Sequence, residues 1–449
     1  MKNVNRLTEG PISRQLIALA LPIMGSSFLQ MAYGLVDMLW IGRLGSSAVA
    51  AIGTAMFFIN LGYALNSMVV TGTGIKVSHS IGSKDYNDAA ECIKNAFLIN
   101  LIMFSCFISG LIFFRDNLIG FFKLNDSNVE NMAKTYLVIT AFGLVFKFLN
   151  FLFTRILNSF GESKLPFKIN AVGVVLNIIL DPLLIFGLDM GVAGAALATI
   201  ISQAVNMVLF IKASREYFSI KNIFQYNFKK IREILSLGLP IAVQRILFTG
   251  FGILIAKIIA NWGPDAIAAQ KIGLQIESIA YMTAGGLYGA VASFIGQNYG
   301  AKKYKRISKG FKTAFLLSAI IGGAATFIFL VFPEELIKVF VKDRKTIEIG
   351  VSYLRIVGIS QFFMCIEIIS NAAFSGIGRP KIASTVSIIF TGMRIPIAYY
   401  LSHESRMGIN GVWVSIALTS IFKGIILSGL FLNNLRKIYR KIKGEGLWI

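Results

Sequence analysis

Hydrophobic residues fall into long blocks separated by short segments that are rich in Gly, Pro, Asn and charged residues. Most blocks carry no polar stripe at helical spacing, which a soluble helix needs on its solvent face. A block of about 20 apolar residues is long enough to cross a bilayer as an α-helix. The pattern predicts an all-α integral membrane protein with twelve transmembrane helices, at approximately 15–41, 49–74, 95–114, 133–157, 167–187, 192–213, 233–260, 267–292, 311–332, 347–373, 382–402 and 409–435.

Composition and charge agree with a membrane location. The 449-residue chain is 55% hydrophobic and 15% charged, with a net charge of +22. Most of its 44 Lys and Arg residues lie in the amino-terminal segment, in every second loop after it and in the carboxyl-terminal tail. This asymmetry is typical of cytoplasmic segments. We therefore expect a multi-pass protein of the inner or plasma membrane with both termini in the cytoplasm, whose basic residues contact anionic lipid rather than nucleic acid.

Other classes of protein find no support in the sequence. The first apolar block is too long for a cleaved signal peptide and is followed by no small-residue cleavage site. Cys92, Cys106 and Cys365 form no CxxC pair, so we expect free thiols. The chain contains no phosphate-binding loop, zinc motif or nucleophile elbow. The sequence therefore predicts neither an enzyme nor a cofactor.

The chain contains the same six helices twice. When it is shifted by 218 residues, LALPI at 19–23 falls on LGLPI at 237–241; after a one-residue deletion, MGVAG at 190–194 falls on MGING at 407–411. Six is an even number, so both copies enter the membrane in the same sense. Transporters built from parallel repeats have a symmetry axis along the membrane normal. We expect two six-helix lobes related by such a pseudo-twofold axis, residues 1–221 and 222–449.

Several blocks resemble the multidrug and toxic compound extrusion (MATE) transporters: DMLWIGRLGSSAVAAIG at 37–53, IGSKDYNDA at 81–89 and LNIILDPLLIFG at 176–187. The resemblance covers essentially the whole chain. It implies two six-helix lobes that form a V around a central cavity, which opens to one side of the membrane at a time. It also implies an antiporter, coupled to H⁺ or Na⁺, that exports drugs or other amphipathic organic compounds. We expect it to act as a monomer.

Four acidic residues break the repeat. Asp37 and Asp181 occur only in the first copy, where the second has Ile and Ala, and Glu277 and Glu367 occur only in the second, where the first has Ile and Asn. Packing alone would treat both copies alike. Because acids inside a membrane are costly, they mark ion or substrate pathways by default. For Glu277 and Glu367, pairing with basic residues of the same lobe is an equally open interpretation.

The acids of the first copy belong to a wider pattern. Asn177 and Asp181 are four residues apart and share a helical face. Asp37, Asn177, Asp181 and Thr199 resemble the first-lobe cation site of the DinF-like branch of the family. The NorM-like pattern requires a glutamate on the seventh helix, which has none. Burial disfavours the charged form of a carboxyl group, which favours protonation, whereas oxygen ligands at Asp37, Asn177 and Asp181 suit Na⁺. The sequence leaves both ions open.

Two polar stripes at helical spacing indicate a substrate cavity. The fourth helix carries Lys147, Asn150, Thr154 and Asn158, and the tenth carries Met364, Glu367, Asn371 and Ser375. A stripe that faced lipid would be costly, so each should face the cavity. The predicted substrate site consists of Gln30, Asn150, Thr154, Asn158, Met364, Glu367, Asn371, Glu277 and Arg394, and Pro22 is the predicted hinge of the first helix. For Lys147, snorkelling toward the membrane surface is an open interpretation. Basic residues inside the second lobe keep one alternative open, a flippase for lipid-linked oligosaccharides from the same superfamily.

Overall fold

The computed structural model describes residues 7–218, 226–403 and 407–442. Within these ranges the chain forms fourteen α-helices and no strand. Twelve of the helices are long and apolar enough to cross a membrane. The helices are α1 Ile12–Arg43, α2 Ser46–Gly82, α3 Tyr86–Phe113, α4 Arg115–Gly120, α5 Ser127–Ser159, α6 Lys164–Pro182, α7 Gly191–Ser214, α8 Phe228–Ile259, α9 Pro264–Gly300, α10 Tyr304–Val331, α11 Pro333–Lys338, α12 Arg344–Gly376, α13 Pro380–His403 and α14 Ile409–Ile442.

The helices repeat as the sequence does. α2 and α9 each have 37 residues, α3 and α10 each have 28, and α5 and α12 each have 33. The six-residue helices α4 and α11 occupy equivalent places, between the third and fourth long helix of each copy. The prediction of twelve membrane helices in two sets of six is therefore confirmed.

Several helices begin earlier than their apolar blocks. The apolar block predicts a third helix from residue 95, yet α3 begins at Tyr86, after Asp85, whose carboxylate accepts a hydrogen bond from the backbone N–H of Asp88 at 2.9 Å. Hydropathy discounts these polar first turns, although a capping side chain satisfies backbone groups there. The sequence pattern missed α4 and α11, because six residues are too few to show a helical period.

The protein consists of two compact units, the second of which is not a continuous stretch of chain. The first unit contains the described residues from Gly25 to Ala242, and the second contains Leu7–Met24 together with the described residues from Val243 onward. Helices α1 and α8 each change unit two residues after an internal proline, Pro22 and Pro240. The boundary predicted between residues 221 and 222 lies outside the described residues.

Small residues allow close helix contacts inside the first unit, where α5 packs against α2 and α7. The first part of α8 lies on α2 with almost no space between their backbones. A Cβ at Gly72 would lie 2.0 Å from the carbonyl oxygen of Ile234, and a Cβ at Gly238 would lie 1.8 Å from that of Met68. Close backbone approach of this kind is typical of packed membrane helices.

In the second unit, α12 is the central helix and packs against α9, α10 and α14. Its Tyr353 is buried against Trp413 of α14, with ring centroids 4.7 Å apart in an edge-to-face arrangement. Gly411 repeats the role of Gly194 in the first unit, since a Cβ at either position would lie within 3 Å of the backbone of the preceding membrane helix. The two units thus use equivalent glycines to bring consecutive helices together.

Candidate functional site

Four helices of the first unit carry polar side chains toward a common interior. On α1, Gln30, Tyr33 and Asp37 follow one another at spacings of three and four residues, which places them on one helical face. Helix α6 contributes Asn177 and Asp181. The predicted first-lobe site is thereby built from groups inside a single compact unit.

The two aspartates lie close enough to interact electrostatically. Asn177 and Asp181 are fully buried, and the amide of Asn177 donates a hydrogen bond of 3.1 Å to Asp181 Oδ1. Three oxygen atoms here, Asp37 Oδ1, Asp181 Oδ2 and Asn177 Oδ1, are buried and have no hydrogen-bond partner among the described residues. Because a buried acceptor without a partner is costly, the cluster is suited to take up a positive species.

Thr199, the fourth residue of the predicted cation site, already has a partner. Its hydroxyl lies 2.7 Å from the hydroxyl of Tyr33 on α1. Tyr33 in turn interacts electrostatically with both aspartates. The structure therefore places Thr199 at the edge of the acidic cluster, with Tyr33 linked to it.

The backbone changes form directly after Asp181. Helix α6 ends at Pro182, and Leu183–Gly187 continues as a π-helical turn in which the N–H of Leu188 donates to the carbonyl of Leu183 at 2.9 Å. Proline has no N–H to donate to the carbonyl of residue 178, so the regular helix lacks one backbone hydrogen bond beside Asp181. Wide turns of this type occur frequently at functional sites. On α7, Gly194 lets that helix approach the widened turn.

A polar cavity of about 130 Å³ lies beside the acidic cluster in the first unit. It contains three residues of the predicted substrate site, Gln30, Asn150 and Thr154. Asn158, also predicted there, is buried but does not line this cavity. The complete lining is Gln30, Tyr33, Lys147, Asn150, Phe151, Thr154, Asn170, Gly173, Val174, Gln203 and Asn206.

Amide groups dominate the cavity wall. Asn150 donates to the backbone carbonyl of Gln203 at 2.9 Å and to its side-chain oxygen at 3.0 Å. The side-chain oxygens of Asn150 and Asn206 are buried and have no partner among the described residues. Gly173 makes room for the Asn206 amide, because a Cβ there would lie 2.2 Å from its nitrogen.

Sequence reasoning did not select Tyr33, Asn170, Gln203 or Asn206. One signal for α7 was present, since Thr199, Gln203 and Asn206 are spaced by four and three residues, as in the stripe on α5. Tyr33 likewise lies between Gln30 and Asp37 on one face of α1.

The acids of the second unit are engaged by neighbours. Glu367 forms a 3.0 Å ion pair with Lys423, both almost fully buried, and accepts a hydrogen bond of 3.2 Å from Ser387. Glu277 accepts a hydrogen bond from Tyr353 and another, of 2.8 Å, from the amide of Gln361. Their predicted role in substrate binding stays a prediction.

Arg394 interacts electrostatically with both of these acids. Its guanidinium donates to the hydroxyls of Thr419 at 3.1 Å and Ser420 at 3.3 Å. Of the remaining predicted residues, Met364 packs against a small buried cluster of Ala284, Cys365 and Ile368. Asn371, one turn after Glu367, is half-buried. Pro22, the predicted hinge, lies inside an uninterrupted helix α1.

Twelve membrane-length helices in two related sets, with polar groups buried inside each set, define a multi-pass membrane transporter. The family model described as MatE matches residues 22–183 and again residues 240–400. The two matches start 218 residues apart and end 217 apart, as the internal repeat does. The chain belongs to the MatE family, and the resemblance to MATE transporters is confirmed.

Curated relatives cover nearly the full chain. It is 28% identical to the probable multidrug resistance protein NorM of Thermotoga maritima, over 94% of this chain and 92% of the relative. It is 26% identical to the probable multidrug resistance protein YoeA of Bacillus subtilis, over 93% of each. It is also 26% identical to the multidrug export protein MepA of Staphylococcus haemolyticus, over 91% of each. Assignment to the DinF-like branch stays a prediction.

Solved structures share the fold. A MATE transporter crystallised with MaD5 has a TM-score of 0.91 and 22% identity, over 98% of this chain and 99% of the other. The crystal structure of a point mutant of the Vibrio cholerae MATE transporter VcmN has a TM-score of 0.88 and 22% identity, over 95% of this chain and 97% of the other.

Proposed function

We propose that the protein is a cation-coupled antiporter that exports drugs or other amphipathic organic compounds by alternating access. The names of its relatives, which describe multidrug resistance and export, support the cargo class. The observation that carries the proposal is the set of buried oxygens at Asp37, Asp181 and Asn177 that have no partner among the described residues. A proton or Na⁺ would satisfy them.

The mechanism follows from the cost of buried charge. With both carboxyl groups ionised, the first unit attracts a cation, either the coupling ion or the positively charged group of a cargo molecule. Uptake of H⁺ or Na⁺ at Asp37 and Asp181 removes that attraction and releases the cargo. One charge that crosses 100 mV supplies about 2.3 kcal/mol, or roughly a fortyfold cargo gradient.

The conformational step is assigned to α1. Pro22 removes one backbone hydrogen bond from this helix, and α1 changes compact unit two residues later. Asp37 lies four turns further along the same helix. Loss of its charge therefore acts on a helix that lacks one backbone hydrogen bond at Pro22. We place both termini in the cytoplasm on the basis of the charge asymmetry of the chain, and we propose that the protein acts as a monomer in the plasma membrane.

Transport in liposomes tests the coupling. Purified protein is reconstituted with imposed pH or Na⁺ gradients, and efflux of a cationic dye is recorded for wild type, Asp37→Asn and Asp181→Asn. We expect both variants to lose cation-driven transport. Asp116→Asn, which changes an exposed acid of α4, serves as the matched control and should transport normally. Normal gradient-driven efflux by Asp37→Asn would refute the assignment.

A flippase for lipid-linked oligosaccharides is the second candidate, favoured by Arg394. This guanidinium contacts hydroxyl groups and has no carboxylate within 4 Å among the described residues, so it can bind an anionic diphosphate group. Drug susceptibility of cells that express the protein separates the two functions. Unchanged susceptibility to cationic dyes and antibiotics would favour the flippase.

A further inference from the structure

The polar cavity of the first unit has one basic side chain, Lys147, in its wall. Lys147 lies on α5, one turn before Asn150, and its ammonium group is 4.7 Å from the ring centre of Tyr63. No carboxylate lies within 4 Å of this ammonium among the residues that the structure describes. Lys147 nevertheless interacts electrostatically with Asp37. The second copy of the repeat has Met364 at this position.

The charge of this interior is simple to count. The carboxyl groups of Asp37 and Asp181 in the adjoining acidic cluster, both ionised, and the ammonium group of Lys147 in the cavity wall give the cluster and cavity together a formal charge of −1 when no cation is bound. Helix α7 contributes only uncharged groups, Thr199, Gln203 and Asn206. The titratable side chains that face Lys147 and the two acids from the packed helices are Tyr33 and Asp37 of α1, Tyr63 of α2, Tyr136 of α5 and Asp181 of α6.

The volume of the cavity, like its charge, indicates that it holds one positively charged group at a time. A drug-sized ligand occupies a pocket of roughly 300–1,000 Å³, whereas this cavity measures about 130 Å³. A water molecule in the liquid takes up about 30 Å³. There is room for one hydrated ion or for the charged end of one cargo molecule.

We propose that Lys147 makes cargo and coupling ion mutually exclusive, by reducing the charge of the cavity so that it attracts only one positive charge at a time. This inference rests on the proposed cation-coupled export. After the cavity takes up one cation its formal charge is zero, and a second cation finds no net attraction. Without Lys147 the formal charge would be −2, and a cavity that held one cation would still attract another. Cargo and ion would then bind together, and exchange would become uncoupled.

The expected size of the effect follows from Coulomb's law. At an effective dielectric constant of about 20 and a separation of about 10 Å, one unit charge changes cation affinity roughly tenfold. Replacing Lys147 should therefore tighten the binding of a monovalent cation by about tenfold. It should also weaken the competition between that cation and the coupling ion.

Binding of tetraphenylphosphonium to the purified full-length protein tests this, measured across Na⁺ concentrations and pH values. In wild type we expect the dissociation constant to rise about tenfold for each tenfold increase of the coupling ion in the competitive range. Lys147→Met, which introduces the residue of the second copy, should bind about tenfold tighter with less than a threefold dependence. Lys147→Gln should behave in the same way, and Lys147→Arg, which retains the charge, should match wild type.

The outcomes separate the inference from the function on which it rests. If Lys147→Met and Lys147→Gln retain full competition, or bind the probe more weakly than wild type, the role of Lys147 is overturned while coupling at Asp37 stands. If wild type shows no competition by either ion and Asp37→Asn binds like wild type, both the proposed function and the inference fail. Size-exclusion profiles identify folded variants, and either uncharged substitution suffices for the comparison.

Discussion

The buried ion pair between Glu367 and Lys423 allows a quantitative test of why the second unit contains charges. Its atoms are 3.0 Å apart, and the side chains are only 8% and 7% exposed. Removing one partner from such a pair leaves an uncompensated buried charge, which costs about 3–5 kcal/mol. Ser387 and the electrostatic contribution of Arg394 would still compensate part of the charge of Glu367. We therefore expect Lys423→Met to lower the free energy of unfolding by about 3 kcal/mol.

The double variant separates a structural pair from a substrate-binding acid. When Glu367→Gln is combined with Lys423→Met, no buried charge of the pair is left uncompensated, and much of the lost stability should return. A double-mutant cycle, followed by tryptophan fluorescence during SDS titration in mixed micelles, should give a coupling energy of about 2–3 kcal/mol. Lys338→Met breaks an exposed pair with Glu334 in the same unit and should cause no measurable change.

Two results would refute this reasoning. A loss below about 1 kcal/mol for Lys423→Met would mean that water or another group already compensates Glu367. Additive effects of the two substitutions would mean that the residues do not stabilise each other. If instead stability is coupled as expected and the double variant still transports, Glu367 has a structural role and is not required for substrate binding.

Two further predictions concern the backbone. Gly238→Ala places a methyl group 1.8 Å from the carbonyl oxygen of Met68 and should destabilise the first unit by about 1–3 kcal/mol. The control, Gly250→Ala in the same helix, meets nothing within 4 Å and should be neutral or stabilising. Thermal unfolding of both variants checks this, and equal melting temperatures would contradict it. Pro182→Ala restores an N–H donor for residue 178 and should turn the π-helical segment into regular helix, which rotates the groups that follow it. We expect a more stable protein that transports poorly, and transport at the wild-type rate would show that the wide turn is dispensable.

Much of the fold and part of the site could be predicted from the sequence because they depend on spacing along the chain. Hydrophobic block length gave twelve membrane helices, and the break in the repeat at Asp37 and Asp181 selected two acids that interact inside one unit. The link between Asn177 and Asp181 followed from a four-residue spacing, and the structure has that hydrogen bond.

The rest depends on which side chains meet across different helices, and spacing along one helix does not contain that information. Thr199 was predicted to join the acids, and that stays a prediction; the spacing along α7 did not show that its hydroxyl lies 2.7 Å from the hydroxyl of Tyr33. For Glu367 the sequence left substrate binding and ion pairing open, because the choice of Lys423 as partner is set by the register of α12 against α14. Polar first turns such as that of α3 were missed because hydropathy scores them as loop.

The mid-helix change of unit in α1 and α8 has a consequence for how the protein assembles. A chain cut between the two copies would give two fragments, each of which lacks one helix segment of a compact unit and carries a segment that belongs to the other. Such fragments should be unstable when produced singly and should complement each other when produced in the same cell.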